Sequence, residues 1–163
     1  MLFHQSLNYG VVNLGDVRCH TFEYIAGSLK CATDMTLLVI TLYRTGPINA
    51  YFFEELDEFL ASASLKSDYM ILAGDFNIHM EHFDTYSKQL IQITESYGLK
   101  QIVGQPTHSS GGVIDLIFDN SNLLSLTSLS INNTCNWSDH FPISFSTKRF
   151  DVSCKTEKVI TTR

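Results

Sequence analysis

Basic residues are scarce in this sequence. Eleven lysines and arginines stand against 17 aspartates and glutamates, a formal net charge of −6. Such a balance does not favour broad attraction to DNA or to an anionic membrane. Contact with nucleic acid then needs a local patch or a bound cation, and phosphate chemistry stays open because a metal ion can dominate the charge of its site. Cysteine is thin as well. Cys19, Cys31, Cys135 and Cys154 form no CxxC pair and keep no ligand-like spacing with histidine. That argues against a zinc site and a disulfide scaffold, and leaves reduced thiols in an intracellular protein as the plainer expectation. The opening Met1–Leu2–Phe3–His4–Gln5 has no basic region followed by an apolar one, so no secretory leader is read there. The longest apolar run, around Leu37–Leu42, is far too short to span a bilayer. No internal repeat or low-complexity segment is visible.

What is present is a foldable chain. With 163 residues, 44% hydrophobic and only 17% charged, it has material for one globular domain with a real core. Met1 to Gly15 has little periodicity. Thr21–Leu29 and Leu37–Tyr43 read as strands joined by a polar turn at Lys30–Asp34, the second apolar enough to be buried on both faces. From Ile48 the period changes: Phe52, Leu56, Phe59, Leu60 and Ala63 recur at helical spacing, with Glu54, Glu55, Asp57 and Glu58 mostly opposite. A second helix is predicted over Thr85–Tyr97 with Leu90, Ile93 and Tyr97 inward and Gly98 at the position past its end. Strands follow at Tyr69–Ala73, Lys100–Val103, Val113–Phe118, Leu124–Ile131 and His140–Ser146, with a polar tail over residues 147–163. Helices interleaved with strands predict an α/β layered domain with a mixed, partly antiparallel sheet.

Chemistry concentrates where the Tyr69–Ala73 run breaks at Gly74 and delivers Asp75 and Asn77. Two-residue spacing on a strand puts both on one face. A carboxylate can take a proton from water and a carboxamide can donate to a charged oxygen, a pairing that suits phosphate ester hydrolysis. Gly, Asp and Asn are also ordinary turn residues, so the stretch alone does not decide. Asp115 lies within the apolar Val113–Phe118 run, where a charge needs a partner. It sits either on the polar face of an edge strand or against His140, whose tautomer a carboxylate would fix. Asp139 and His140, adjacent at a strand entry, are expected to point oppositely. Tyr43 ends a strand, its ring placed to pack and its hydroxyl to reach the loops. A cluster of His79, Glu81 and His82 is conceivable, but their spacing is not ligand-like. His79, His82 and His108 are therefore expected to face solvent rather than share a metal.

The order of these motifs is more specific than any one of them. The segments Leu37–Pro47 (LLVITLYRTGP), Ile71–Met80 (ILAGDFNIHM), Pro106–Phe118 (PTHSSGGVIDLIF) and Ser138–Phe145 (SDHFPISF) occur in succession. The chain thereby resembles the endonuclease/exonuclease/phosphatase superfamily, and more narrowly the endonuclease domain of non-LTR, LINE-type retrotransposons. The resemblance spans about Thr21 to Phe145 within a domain placed at residues 1–146. It implies a four-layer α/β sandwich and Mg²⁺-dependent cleavage of phosphate esters, with Mn²⁺ a possible substitute, DNA the ancestral substrate and the nucleus a plausible location; no membrane and no protein partner are implied. By resemblance, Asp75 would activate the attacking water, while Asn77 would hold the phosphate and developing charge. Tyr43 would contact the phosphate, Asp115 would orient a phosphate-binding His140, and Asp139 would lie near the metal.

Two departures stand out. Thr45 and Gly46 replace the second proline usual after the tyrosine and arginine. The family's opening asparagine strand and its metal-binding glutamate are not recognisable, Asn8 and Glu23 being the nearest residue types. The expectation is a chain matching the C-terminal two thirds or so of the domain, N-terminally truncated and weakly active or inactive. The alternatives are a non-catalytic retrotransposon-derived remnant and a phosphatase acting on a small phosphate ester.

Overall fold

A computed structural model of the chain describes residues 7–14, 19–30, 35–120, 126–134 and 136–147. The expected Lys30–Asp34 turn, three of the four cysteines and nearly all of the polar tail lie outside these residues. Strands β1 (Tyr9–Val11), β2 (Phe22–Lys30), β3 (Thr36–Arg44), β4 (Tyr69–Asp75), β5 (Lys100–Gln101) and β6 (Asp115–Asp119) form one sheet in the order β1-β2-β3-β4-β6-β5. Only β3 and β4 are parallel; the other neighbours are antiparallel. A parallel pair needs a crossover, and helix α1 (Ala50–Ser64) supplies it. Helix α2 (Thr85–Ser96) lies beside α1, and a ribbon of β7 (Leu126–Ile131) and β8 (Ile143–Thr147) packs Leu129, Ile131, Ile143 and Phe145 against the same core. The mixed sheet with its helices is the expected α/β class.

Alternation along the strands sorts the core. Phe22, Leu38, Ile40, Leu42, Leu72 and Phe118 are buried, and so are Phe52, Leu56, Phe59, Leu60 and Ala63 of α1. Phe22 meets the rings of Phe52 and Phe59 at 5.9 and 5.4 Å, edge-on, and Tyr24 meets Phe59 at 4.6 Å. Each such ring removes enough apolar surface from water to contribute roughly 1.5–3 kcal/mol. Asn49 caps α1 by accepting from the Phe52 amide at 3.2 Å, and Asp84 caps α2 by accepting from Ser87 at 2.9 Å. The other face of the sheet carries Glu23, Ile25, Thr41 and Tyr43, all exposed. The strand expected to be buried on both faces is therefore so only in its first half.

Most boundaries shift by a residue or two, β5 ending at Gln101 rather than Val103, and three of the differences bear on the site. Strand β4 does not stop at Gly74 but runs on through it, because a side chain there would meet the Leu42 carbonyl oxygen at 1.8 Å and glycine lets β3 close in. Strand β6 starts at Asp115, not Val113, since the Val113 and Ile114 amides are bonded to Glu81 and Thr107 instead of a neighbouring strand. The last strand starts at Ile143; His140 makes only an isolated bridge to His108. Gly98 takes φ +71° just past α2, as expected, and the Leu99 amide returns to Thr94 at 3.0 Å. Among the described residues no helix is long and apolar enough to cross a membrane.

Asp119 closes β6 at the end away from Asp115, 1% exposed, with its Oδ1 lacking a hydrogen-bond partner among the described residues. Burial raises its carboxyl above the ordinary carboxylate range, with Lys100 opposing. The folded state then binds this proton more tightly than the unfolded state, so stability falls as pH rises from the unfolded value through the raised one. Asp119→Asn should flatten that decline. Thermal unfolding between pH 4 and 8 should show the variant gaining on the parent as pH rises; equal slopes would count against the assignment.

Candidate active site

The register of three strands builds the site. Tyr43 pairs with Asp75 across β3 and β4, and Asp75 pairs with Asp115 across β4 and β6. Opposed residues share a face, so these three side chains stand in one row at one end of the sheet. Glu23 extends the row, opposite Tyr43 in β2, with Tyr43 between it and Asp75. Tyr43 is 53% exposed, so its ring lies open rather than packed as expected.

His140 joins from outside the sheet. Its Nδ1 lies 2.9 and 3.1 Å from the two Asp115 oxygens, the pairing anticipated from sequence. Donor atoms of Asp75, Asp115 and His140 all lie within 4.8 Å of one another. The bond to Asp115 raises the His140 pKa above the usual histidine value, with burial opposing. Burial likewise lifts the Asp75 carboxyl above the ordinary range; the Asn77 amide pulls it back and the Asp115 charge adds to the lift.

Asn77 reaches the site by a turn, not by the pleat. It lies past the end of β4 at φ +51°, and its amide donates to Asp75 Oδ1 at 2.8 Å. That left-handed backbone suits asparagine better than most residues. Arg44 fixes the turn from below and was not singled out by the sequence. Only 4% exposed, it donates from Nε to the Phe76 carbonyl and from Nη2 to the Asn77 carbonyl at 2.8 Å. Its Nη1 donates to Gly46 at 2.8 Å, and its guanidinium sits 5.6 Å from the centre of the Phe52 ring. Burying a cation requires such complete pairing. Its position one residue after Tyr43, at an alternation that points it into an apolar layer, was the available signal.

Thr107 is a second residue that the sequence reading passed over. Fully buried, its Oγ1 accepts from the Ile114 and Asp115 amides at 3.1 and 3.0 Å, while its carbonyl accepts from Phe141 at 2.7 Å. One side chain and one carbonyl thus tie the Asp115 strand to the His140 segment.

His108 corrects an expectation. Rather than facing solvent, its side chain is 21% exposed, with Nε2 3.2 Å from Asp139 Oδ2 and its ring edge-on to His140 at 4.9 Å. Asp139 and His140 do diverge, Asp139 toward His108 and His140 toward Asp115. Asp139 is held below the ordinary carboxylate range by its own amide and by the His108 ring. His79 and His82 are open to solvent as expected, with 47% and 68% of their side chains exposed, yet they gather around Glu81.

The sequence profile of the endonuclease–reverse transcriptase family matches residues 37–144. The chain belongs to this family. All four motif segments lie within or at the edges of the matched region. No curated protein matches the chain. Among solved structures, the endonuclease domain of TRAS1, a telomere-specific non-LTR retrotransposon, superposes with a TM-score of 0.72 at 14% identity, covering 91% of this chain and 70% of that one. The 3′ phosphatase NExo from Neisseria, solved with a product DNA hairpin, gives 0.62 at 18% identity, covering 88% and 70%. The human nocturnin catalytic domain, solved with a sulfate anion, gives 0.53 at 16%, covering 85% and 60%. At these identities the likeness concerns the fold, which is that of the endonuclease/exonuclease/phosphatase superfamily.

Two measurements test this geometry. Thr107→Val keeps the shape but orphans two buried amides, each costing about 1–3 kcal/mol. Urea unfolding should show a loss of roughly 2 kcal/mol or more, and a loss below half of that would mean the amides find other partners. The Asp115–His140 bond contributes stability below the ordinary histidine pKa of about 6.5, and that contribution is lost as pH rises through the raised folded value. In metal-free protein, Asp115→Asn should bring the His140 titration, followed by NMR, down toward the ordinary value; an unmoved titration would exclude Asp115 as its cause.

Proposed function

We propose that this domain hydrolyses phosphodiester bonds in nucleic acid with the help of a hard divalent cation, Mg²⁺ or in its place Mn²⁺, and that it does so slowly. The observation that carries the reading is the convergence of Asp75, Asp115 and His140 beside the Asn77 turn. The donor set fits the cation: neighbouring carboxylate oxygens suit Mg²⁺, and the mutual repulsion of Asp75 and Asp115 eases when a cation stands near. When bound, such an ion neutralises charge on a phosphate and lowers the pKa of a coordinated water. Asp75 and Asp115 would offer oxygens to it, while Asp139 stands in a separate group with His108 and His140. Asp75, whose carboxyl burial lifts above the ordinary carboxylate range, is suited to accept the proton of the attacking water. Asn77 supplies a carboxamide, and His140, oriented through Nδ1 by Asp115, presents Nε2 as a donor to the phosphate. Tyr43 offers a further hydroxyl from the same row.

Slow turnover follows from the carboxylates at hand. Among the described residues no glutamate lies within reach of the Asp75–Asp115–His140 group, and Glu23 is separated from Asp75 by Tyr43. A metal held by fewer carboxylates is held less firmly, and about 4 kcal/mol of lost stabilisation is roughly a thousandfold in rate. The net charge of −6 also leaves polyanion capture to the cation and local contacts.

Supercoiled plasmid incubated with the full chain should be nicked slowly in Mg²⁺ or Mn²⁺, not at all in EDTA, and at background rate by Asp75→Asn. Nicking that Asp75→Asn leaves intact would remove the assignment. Equal, background rates for parent and variant would favour a non-catalytic role, and turnover of small phosphomonoesters without DNA cleavage would favour a phosphatase.

A further inference from the structure

The turn after Asn77 gathers a second set of ligating side chains, independent of the site above. Met80–His82 is a single 3₁₀ turn with His79 at its N-cap. Its tight pitch swings Glu81 between two histidines, which a count of sequence spacing does not anticipate. His79 Nδ1 is hydrogen-bonded to Glu81 Oε1, and His82 Nε2 lies 3.7 Å from that same oxygen. The rings lie 5.5 Å apart and nearly parallel, and the ligand atoms of the three residues fall within 4.8 Å of one another. Two imidazole nitrogens and one carboxylate oxygen are a zinc-type donor set.

The set is also held in place from behind. Glu81 Oε2 accepts the Val113 amide at 2.9 Å, so the carboxylate is fixed and turns Oε1 toward both rings. The Met80 amide returns to the Val113 carbonyl at 3.2 Å, making the contact two-stranded. Gly112 completes the cradle: a side chain there would crowd His79 at 3.1–3.2 Å, so glycine lets the ring lie against the backbone. A carboxylate ligand steadied by a backbone donor is the outer-shell arrangement that metal sites use to orient their ligands. An isolated surface ion pair has no need of it, and contributes little.

We propose that His79, Glu81 and His82 bind one borderline divalent cation of the Zn²⁺ class, with solvent completing the coordination. Nitrogen donors set this site apart from the oxygen-rich group of Asp75 and Asp115, which suits a harder ion. A bound cation would clasp the turn to the Gly112–Val113 segment, immediately before β6.

The test is a titration of the chelator-treated full chain with Zn²⁺ in excess Mg²⁺, followed by calorimetry, with Co²⁺ as a visible-absorbing substitute. One equivalent should bind despite the Mg²⁺ and be retained in Asp75→Asn. His79→Ala and His82→Ala should each weaken binding by at least about tenfold, the scale on which even outer-shell partners of metal sites act. Both histidines are exposed, so far-UV circular dichroism should match the parent. Absence of a Zn²⁺ equivalent, or its displacement by Mg²⁺, overturns the proposal. Loss of binding in Asp75→Asn, whatever His82→Ala does, also overturns it by placing the ion among the other carboxylates. Neither result bears on plasmid nicking, which tests the other site.

Discussion

The placement of β4 between a parallel neighbour and an antiparallel one governs everything at the site end of this domain. Asp75 is the last residue of that strand, and its two ladders set Tyr43 on one side and Asp115 on the other. A slip of one residue in either ladder would turn a whole strand over and send its site residue to the face that α1 covers. Register is protected by the apolar residues behind it. Leu38, Ile40, Leu42 and Leu72 are at most 1% exposed, and such a slip would carry all four off the face that α1 covers and Leu42 into solvent. The hydrophobic layer therefore does more than stabilise the fold. It indexes the carboxylates.

A second constraint works at right angles to the sheet. The backbone beyond β4 is held by the Phe76 amide on the Ile114 carbonyl, and the buried guanidinium of Arg44 takes the carbonyls of both Phe76 and Asn77. Arg44 alternates with Tyr43 on β3, so one residue faces the solvent end of the row while the next reaches through to hold the turn. Thr107 does the equivalent for the other half of the site, joining the start of β6 to the His140 segment. Neither residue touches the open face. Both decide where the residues on that face stand.

The turn bearing Asn77 continues without a break into the Met80–His82 turn, which the Val113 amide and carbonyl secure. The same few residues before β6 thus support two clusters of different character. One is rich in carboxylate oxygen and lies at the sheet end. The other offers imidazole nitrogen and lies in solvent. Their separation is chemical as well as spatial, since a hard ion and a borderline ion prefer different donors.

Much of this was legible in the sequence. The helical spacing of Phe52, Leu56, Phe59 and Leu60 and the Gly98 stop after α2 are local signals, set by side-chain periodicity and by backbone freedom at glycine, whereas the break read at Gly74 did not materialise because β4 pairs on both sides through it. The Asp115–His140 pairing was legible too, because a charge inside an apolar run must find a partner and few partners were on offer. What only the tertiary structure decided involves residues far apart in the chain or a turn of unexpected pitch. His108 was read as a loop residue facing solvent, yet a fold that brings residue 108 beside 139 and 140 gives it Asp139 to bind. Arg44 looked like a strand-end cation, and its role depends on carbonyls 32 and 33 residues away. The His79–Glu81–His82 cluster carries no familiar spacing, and a 3₁₀ turn assembled it. Periodicity reports which face of an element is apolar. It cannot report which polar atoms a second element will deliver to the other face, because that depends on register and on the closure of loops.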